Sequence, residues 1–387
     1  MTIPLPVARA AGPAEPRLSV DLAAIARNTR RLAERASGEL MAVVKADGFG
    51  HGAADVARTA LAHGATGLGV TSLAEAVSLR DAGLVAPVLS WLNPVGADFG
   101  LAAAYDVEVA VPSPAHLAAV AGAPGRIRVH LHVDAGMARD GAEPAEWPAL
   151  CRAARRAELR GLVEVVGLMG HLGCADRPDD HCNALGRARF AWALDVARTS
   201  GLRPRHRHLA ATAATLTDPR AHHTMSRVGA GLVGIDPSGT TDLESAMTLT
   251  APLVQVRRVP AGTVVGYGHE HRTTRATHLG LVPLGYADGL PRVAATGATV
   301  LVRGARRPVL GQISMDQVVV DLGDRAADPG EQVTVFGPGR DGEPTVAEWA
   351  RWSGTIPHEI VTGVGARVPR TRVAAPYLRS LDAGTPA

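Results

Sequence analysis

From residue 40 to residue 229 the chain repeats one pattern: a short β-branched apolar run, a loop, then an Ala-rich segment with Leu at helical spacing. The pattern predicts strands near 40–46, 66–71, 87–91, 107–111, 127–133, 163–170, 206–210 and 225–229, after a first helix over 22–36. Segments such as 53–63, 73–82 and 184–199 read as intervening helices. Strands that alternate with helices are joined by right-handed crossovers and lie parallel. Eight such units close naturally into a (β/α)8 barrel, an α/β fold of the TIM type whose active groups gather at the C-terminal strand ends.

From residue 251 the texture changes. Val-rich alternating runs at 251–259, 278–284, 298–303, 307–322 and 332–336 are separated by Gly and Pro turns with little helix between. The expected organisation is an N-terminal arm over 1–16 marked by four prolines, a barrel over 17–250, and a mostly β C-terminal domain over 251–387. At 387 residues and 46% apolar content, the chain can bury a large core. A net charge of +3 with both signs interspersed, and only 3% aromatic residues, argue against a nucleic-acid surface. No window reads as a membrane span or a signal peptide. Three cysteines, Cys151, Cys174 and Cys182, have no zinc spacing and form no even disulfide framework, so a cytoplasmic location is expected.

Lys45 is the only lysine among 40 basic residues. In an arginine-biased chain, a retained lysine points to chemistry a guanidinium cannot do, such as losing its proton or forming an imine. It ends the apolar run 40–44 and enters a glycine-rich loop, Asp47-Gly48-Phe49-Gly50-His51-Gly52. Other predicted strand ends supply Arg139, His171, Thr212 and Arg227, followed by Gly229-Ala230-Gly231. An amine, two guanidiniums, an imidazole and a glycine-rich anion site at one barrel mouth suit a phosphate-bearing aldehyde held on Lys45.

Other motifs weigh less. Gly229–Gly234 satisfies the G-x-G-x-x-G spacing, but the turn-like Ile235-Asp236-Pro237-Ser238-Gly239 follows where a dinucleotide site needs a helix. His222-His223 and His269-Glu270-His271 lack the helical spacing of a zinc site and read as solvated loop residues, so no metal is expected. Tyr286, one of four tyrosines, sits in a Gly-flanked turn where its phenol can project into a cleft or be half-buried at a strand end.

Taken in order, Val43-Val44-Lys45-Ala46-Asp47-Gly48-Phe49-Gly50-His51-Gly52, the G-M-A-R of 136–139, the G-H of 170–171, the G-Y-A-D-G of 285–289 and the S-M-D-Q of 314–317 resemble the alanine racemase family of pyridoxal-phosphate enzymes. The resemblance spans nearly the whole chain. It implies racemisation of alanine, with D-alanine as one product, in a homodimer whose active sites draw on both subunits. Lys45 would carry pyridoxal 5'-phosphate and move the proton on the D face, with Tyr286 of the other subunit serving the L face. Arg227 would face the ring nitrogen, and His171 would pack on the ring and help link Arg227 to Tyr286. Arg139 would bond the cofactor phenolate near the substrate carboxylate. Thr212, Gly229 and Ala230 would hold phosphate, and Met315 and Asp316 would contact substrate.

The departures from the family pattern are equally specific. Phe49 and Ala366 stand where tyrosines usually address the phosphate, and His132 where many relatives carry a lysine, often carbamylated. Ala211, Val233 and Gln312 replace a usual asparagine, tyrosine and arginine. Each lost hydrogen bond to a charged group costs roughly 1.5–3 kcal/mol, so weaker cofactor retention is expected. The altered pocket also leaves open a paralogue acting on another amino acid. A non-catalytic cofactor-binding protein is the alternative from a different class, and the joint presence of Lys45, Tyr286, Arg139, Arg227 and His171 argues against it.

Overall fold

The computed structural model describes residues 15–295, 297–324 and 327–373. All but the last two residues of the expected N-terminal arm therefore lie outside the described residues. The chain divides into two compact units, one formed by 24–244 and the other by residues up to 23 together with 245 onward.

The first unit is the barrel. Its strands are Glu39–Val43, Gly67–Val70, Val88–Ser90, Val107–Val111, Ile127–His132, Val163–Met169, His206–His208 and Met225–Val228. Each pairs in parallel with the next in sequence up to His206–His208, and Glu39–Val43 pairs with Met225–Val228. The remaining seam is bridged by Thr224 N donating to Arg207 O (3.1 Å) and Arg227 N to Ala210 O (3.0 Å). Helices Leu22–Arg35, Ala53–Leu61, Leu73–Asp81 and His181–Thr199 lie where the Leu spacing predicts them. Ser72 starts the third of these with a reciprocal cap to Glu75, and Asp180 caps the fourth. Met41, Leu89, Ala110, Met169 and Met225 fill one apolar cluster inside the barrel, with Trp91 against it.

The second unit is built on one nine-stranded sheet. Its order is Gln255–Val259, Thr277–Val282, Val318–Gly323, Ala305–Leu310, Thr299–Val302, Gln332–Phe336, Met247–Pro252, Arg17–Asp21 and Arg370–Val373. All neighbours are antiparallel except the last pair. Residues 17–21, expected within the barrel portion, are thus part of this sheet, held between Met247–Pro252 and Arg370–Val373. The run expected over 307–322 is two strands. Gly311 turns between them at φ +66°, where a Cβ would come 2.7 Å from Val265 O. Helix Val346–Ser353 packs on the sheet through buried Trp349, whose indole donates to Val335 O (2.8 Å).

Candidate active site

Lys45 follows the first barrel strand and opens a backbone segment that turns left-handed. Ala46, Asp47 and Phe49 have φ of +51°, +52° and +56°. Such a conformation costs a residue with a Cβ roughly 1–2 kcal/mol and persists only where neighbours over-determine it. Here they do. Ala46 N donates to Glu75 Oε1 (2.8 Å), Gly48 N to Val44 O (2.8 Å), Gly50 N to Ala46 O (2.9 Å) and Ala53 N to Asp47 Oδ1 (2.8 Å). The half-buried Lys45 amine is lowered from its ordinary value chiefly by burial; Arg139 adds to this, Glu75 opposes it and Arg227 reinforces it. An amine with a lowered pKa gives up its proton more readily.

Arg227 rises from the last strand and is buried. It donates to His208 Nδ1 (2.9 Å), His208 O (2.8 Å), Gly170 O (2.8 Å), Leu209 O (3.4 Å) and His171 Nδ1 (3.4 Å). The His171 imidazole is pushed down to about 3, first by burial and then by the charges of Arg227, Arg139, His132 and Lys45. It is therefore neutral across the ordinary pH range, and those same groups are its electrostatic neighbours. Thr212 is buried, and its hydroxyl accepts from Gly229 N and Gly231 N, both at 3.3 Å. The 229–234 loop continues as a short 3-10 turn over Ala230–Val233, ending at Gly234 with φ +91°, so no dinucleotide-type helix follows.

Exposed Arg139 lies in a loop folded over the Asp134 carboxylate, which accepts from Gly136 N and Met137 N at 2.8 Å. His132 faces Asp140, with Nδ1 3.3 Å from Oδ2. Sequence reasoning missed this pair, although it places a carboxylate beside Arg139. Phe49 is buried with its ring edge on Gly229, where a Cβ would meet Phe49 Cε2 at 2.6 Å.

Two expectations are corrected in this unit. Cys174 and Cys182 form a disulfide, because the loop after His171 folds back to the start of helix His181–Thr199, leaving Cys151 as the buried free thiol. Asp180 lies beside these sulfurs, but joined as a disulfide they offer no thiolate to a metal ion. His222 is buried rather than solvated, within hydrogen-bond distance of Ser37 Oγ and Thr215 O (both 3.0 Å).

The β unit brings Tyr286, Met315 and Asp316 together. Tyr286 N donates to Ser314 O (3.0 Å) and Ala287 N to Met315 O (2.9 Å). Gly285 is required at this approach, since a Cβ would fall 2.2 Å from Met315 O. Tyr286 and Met315 are 40% and 53% exposed, so both face outward from a fixed loop. Asp316 pairs with Arg367 (2.9 Å), and Gln312 donates to Glu270 (2.8 Å). Exposed Ala366 precedes that arginine.

The barrel groups suit pyridoxal phosphate in kind: an amine of lowered pKa for the aldehyde, guanidiniums for ring and phenolate, and a threonine with glycine-loop backbone for the phosphate. No helix among the described residues is long and apolar enough to cross a membrane.

Comparison with known proteins points the same way. The profile described as alanine racemase, N-terminal domain, matches residues 20–237, and that for the C-terminal domain matches 246–372. The alanine racemase of Frankia casuarinae is 47% identical over 366 residues, covering 92% of this chain and 95% of that protein. The solved alanine racemase from D-cycloserine producing Streptomyces lavendulae superposes with a TM-score of 0.91 at 40% identity, covering 94% of this chain and 98% of that one. The alanine racemase from Streptomyces coelicolor A3(2) gives a TM-score of 0.90 at 44% identity, covering 93% and 98%.

Proposed function

The chain belongs to the alanine racemase family, and from that premise we propose that it interconverts L- and D-alanine with pyridoxal 5'-phosphate carried on Lys45. Racemisation removes a proton from one face of a carbon and returns one to the other, so two proton-transfer groups must flank it. Lys45 and Tyr286 are those groups. The bound cofactor supplies the electron sink that makes the α-hydrogen labile.

The protein's own part is positional and electrostatic. Lys45 takes or gives the proton on one face, helped by an amine already lowered from its ordinary value. Tyr286 of a second copy serves the opposite face, and the loop bonds between 286–287 and 314–315 support its fixed placement. Thr212, Gly229 and Ala230 would hold the phosphate. Arg227 would donate to the ring nitrogen, and neutral His171 would pack beside it without adding charge. Arg139 would reach the phenolate and the substrate carboxylate, while Met315 and Asp316 of the second copy would border the small substrate. The enzyme is thus a homodimer, and only its family, no longer its cysteines, supports the cytoplasmic location we propose.

The observation that carries this reading is that the charges of Arg139 and Arg227 act on Lys45, and those of all three on His171. Purified protein given pyridoxal phosphate and either enantiomer of alanine is expected to reach an equal mixture on chiral chromatography. No exchange with either enantiomer overturns the proposal, and a panel of other amino acids then identifies the substrate. Light scattering of the same sample checks the dimer.

A further inference from the structure

Three ionisable side chains lie buried inside the barrel and take no part in the proton transfers above. Glu108, His130 and His208 are 3%, 0% and 0% exposed. They arise on strands Val107–Val111, Ile127–His132 and His206–His208, and strand Val163–Met169 lies between the last two. The intervening strand would normally separate the two imidazoles. It does not, because Gly167 stands at the crossing: a Cβ there would fall 1.9 Å from His130 Nδ1. Gly167 is in register with both His130 and His206.

Through that gap runs a continuous chain. Arg227 Nη1 lies 2.9 Å from His208 Nδ1, His208 Nε2 lies 2.7 Å from His130 Nδ1, and His130 Nε2 lies 2.8 Å from Glu108 Oε2. Only one arrangement of protons satisfies all three contacts. A guanidinium can only donate, so His208 Nδ1 accepts and its proton sits on Nε2. That proton is given to His130 Nδ1, which leaves the His130 proton on Nε2, facing the carboxylate. Protonating either ring further would set two N–H groups against each other. Both imidazoles are therefore neutral and point the same way.

Charge gives this order a purpose. The groups that Arg227 meets directly among the described residues are imidazole nitrogens and carbonyl oxygens. A buried cation is costly without a compensating anion. The carboxylate at the far end of its chain is Glu108, which also accepts from Arg128 Nε (3.0 Å). Burial alone would raise the Glu108 carboxyl, but the hydrogen bond from His130, and then the hydrogen bond and charge of Arg128, hold it below its ordinary value. Around the chain, His206 stacks on His130 at 5.9 Å, with Glu39 3.4 Å from His206 Nδ1.

We propose that Glu108, His130 and His208 are positioning residues: a one-way hydrogen-bond chain that fixes Arg227 at the cofactor ring nitrogen and brings the charge of Glu108 to bear on it. This rests on the function proposed above, in that Arg227 addresses that nitrogen. Hydrogen-bonded imidazoles polarise one another, so a change at Glu108 is felt at Arg227.

The test has two arms. With 15N-histidine labelling, NMR of the full chain before cofactor loading is expected to show His130 and His208 as neutral rings protonated on Nε2. A proton on Nδ1 of either ring overturns the chain. In the second arm, Glu108→Gln keeps an acceptor for His130 while removing the charge and the second acceptor, which serves Arg128 Nε. The variant loaded with pyridoxal phosphate is expected to show a shifted visible band and a kcat for alanine about tenfold lower, at the lower end of the ~10–100-fold seen when an orienting partner is lost. KM is expected to stay within about twofold. An unchanged band and kcat with a lowered Tm would make Glu108 merely structural and overturn the proposal. Failure of the wild-type chain to bind cofactor would instead overturn the functional reading, while the imidazole tautomers still decide the chain.

Discussion

Lys45 is the only lysine in the chain, which makes the cofactor assignment directly testable. Borohydride reduction of the loaded enzyme is expected to attach the cofactor to one side chain, found by peptide mass mapping at Lys45; label on any other side chain refutes the assignment. A second residue-scale prediction concerns Phe49. Its ring edge touches Gly229, so a para-hydroxyl would enter the glycine loop assigned to the phosphate. Phe49→Tyr is expected to lower the pyridoxal-phosphate Kd at least about tenfold, as one hydrogen bond to a charged group is worth roughly 1.5–3 kcal/mol. A fluorescence titration with no tightening would show that the hydroxyl finds no phosphate. At position 132, His132 Nδ1 lies 3.3 Å from the Asp140 carboxylate, which neighbours Arg139.

At the scale of elements, Arg227 stands on a strand, whereas the segments that carry Lys45 and Tyr286 are turns, each held by a few identifiable bonds. The turn bearing Tyr286 is fixed because Gly285 lets it approach Met315 O. Gly285→Ala is expected to cost about 1–3 kcal/mol of stability by overpacking and to lower kcat, while the visible spectrum of cofactor in the barrel stays unchanged. Calorimetry and absorption on one sample check both halves. Barrel strands were legible in the sequence because each is a compact apolar run between helical segments. Arg17–Asp21 was not, because five residues carry too little alternation and their partners lie some 230 and 350 positions away. The break within 307–322 was hidden for a related reason: the apolar pattern continues past Gly311, and only its backbone turn interrupts the ladder. At the site, the strand-end residues were readable from their motifs. Glu108, His130 and His208 were not, since a buried polar residue in a strand signals nothing until its partners on other strands are known.

Across the whole molecule, the buried imidazoles set how stability depends on pH. His171 titrates near 6.5 when unfolded but at about 3 when folded, and His208, His206 and His223 are also lowered, each first of all by burial. The unfolded chain therefore binds more protons below pH 6.5, and stability falls as the pH drops through that value. Glu108 adds to the loss below pH 4.5, because its folded carboxyl is held below its ordinary value. The Tm is expected to fall from pH 7 to pH 5 and more steeply below pH 4.5; a Tm that is level or rises over this range refutes the assignment of neutral buried rings. A different consequence follows from the strand Arg17–Asp21, clasped between Met247–Pro252 and Arg370–Val373. As the ribosome extends the chain, every barrel strand has been made by residue 228, whereas this early strand has no sheet partner until 247–252 emerges, and its second must wait for 370–373. Synthesis therefore leaves one short segment waiting through most of translation, and its second sheet partner is the last of the described strands to be made.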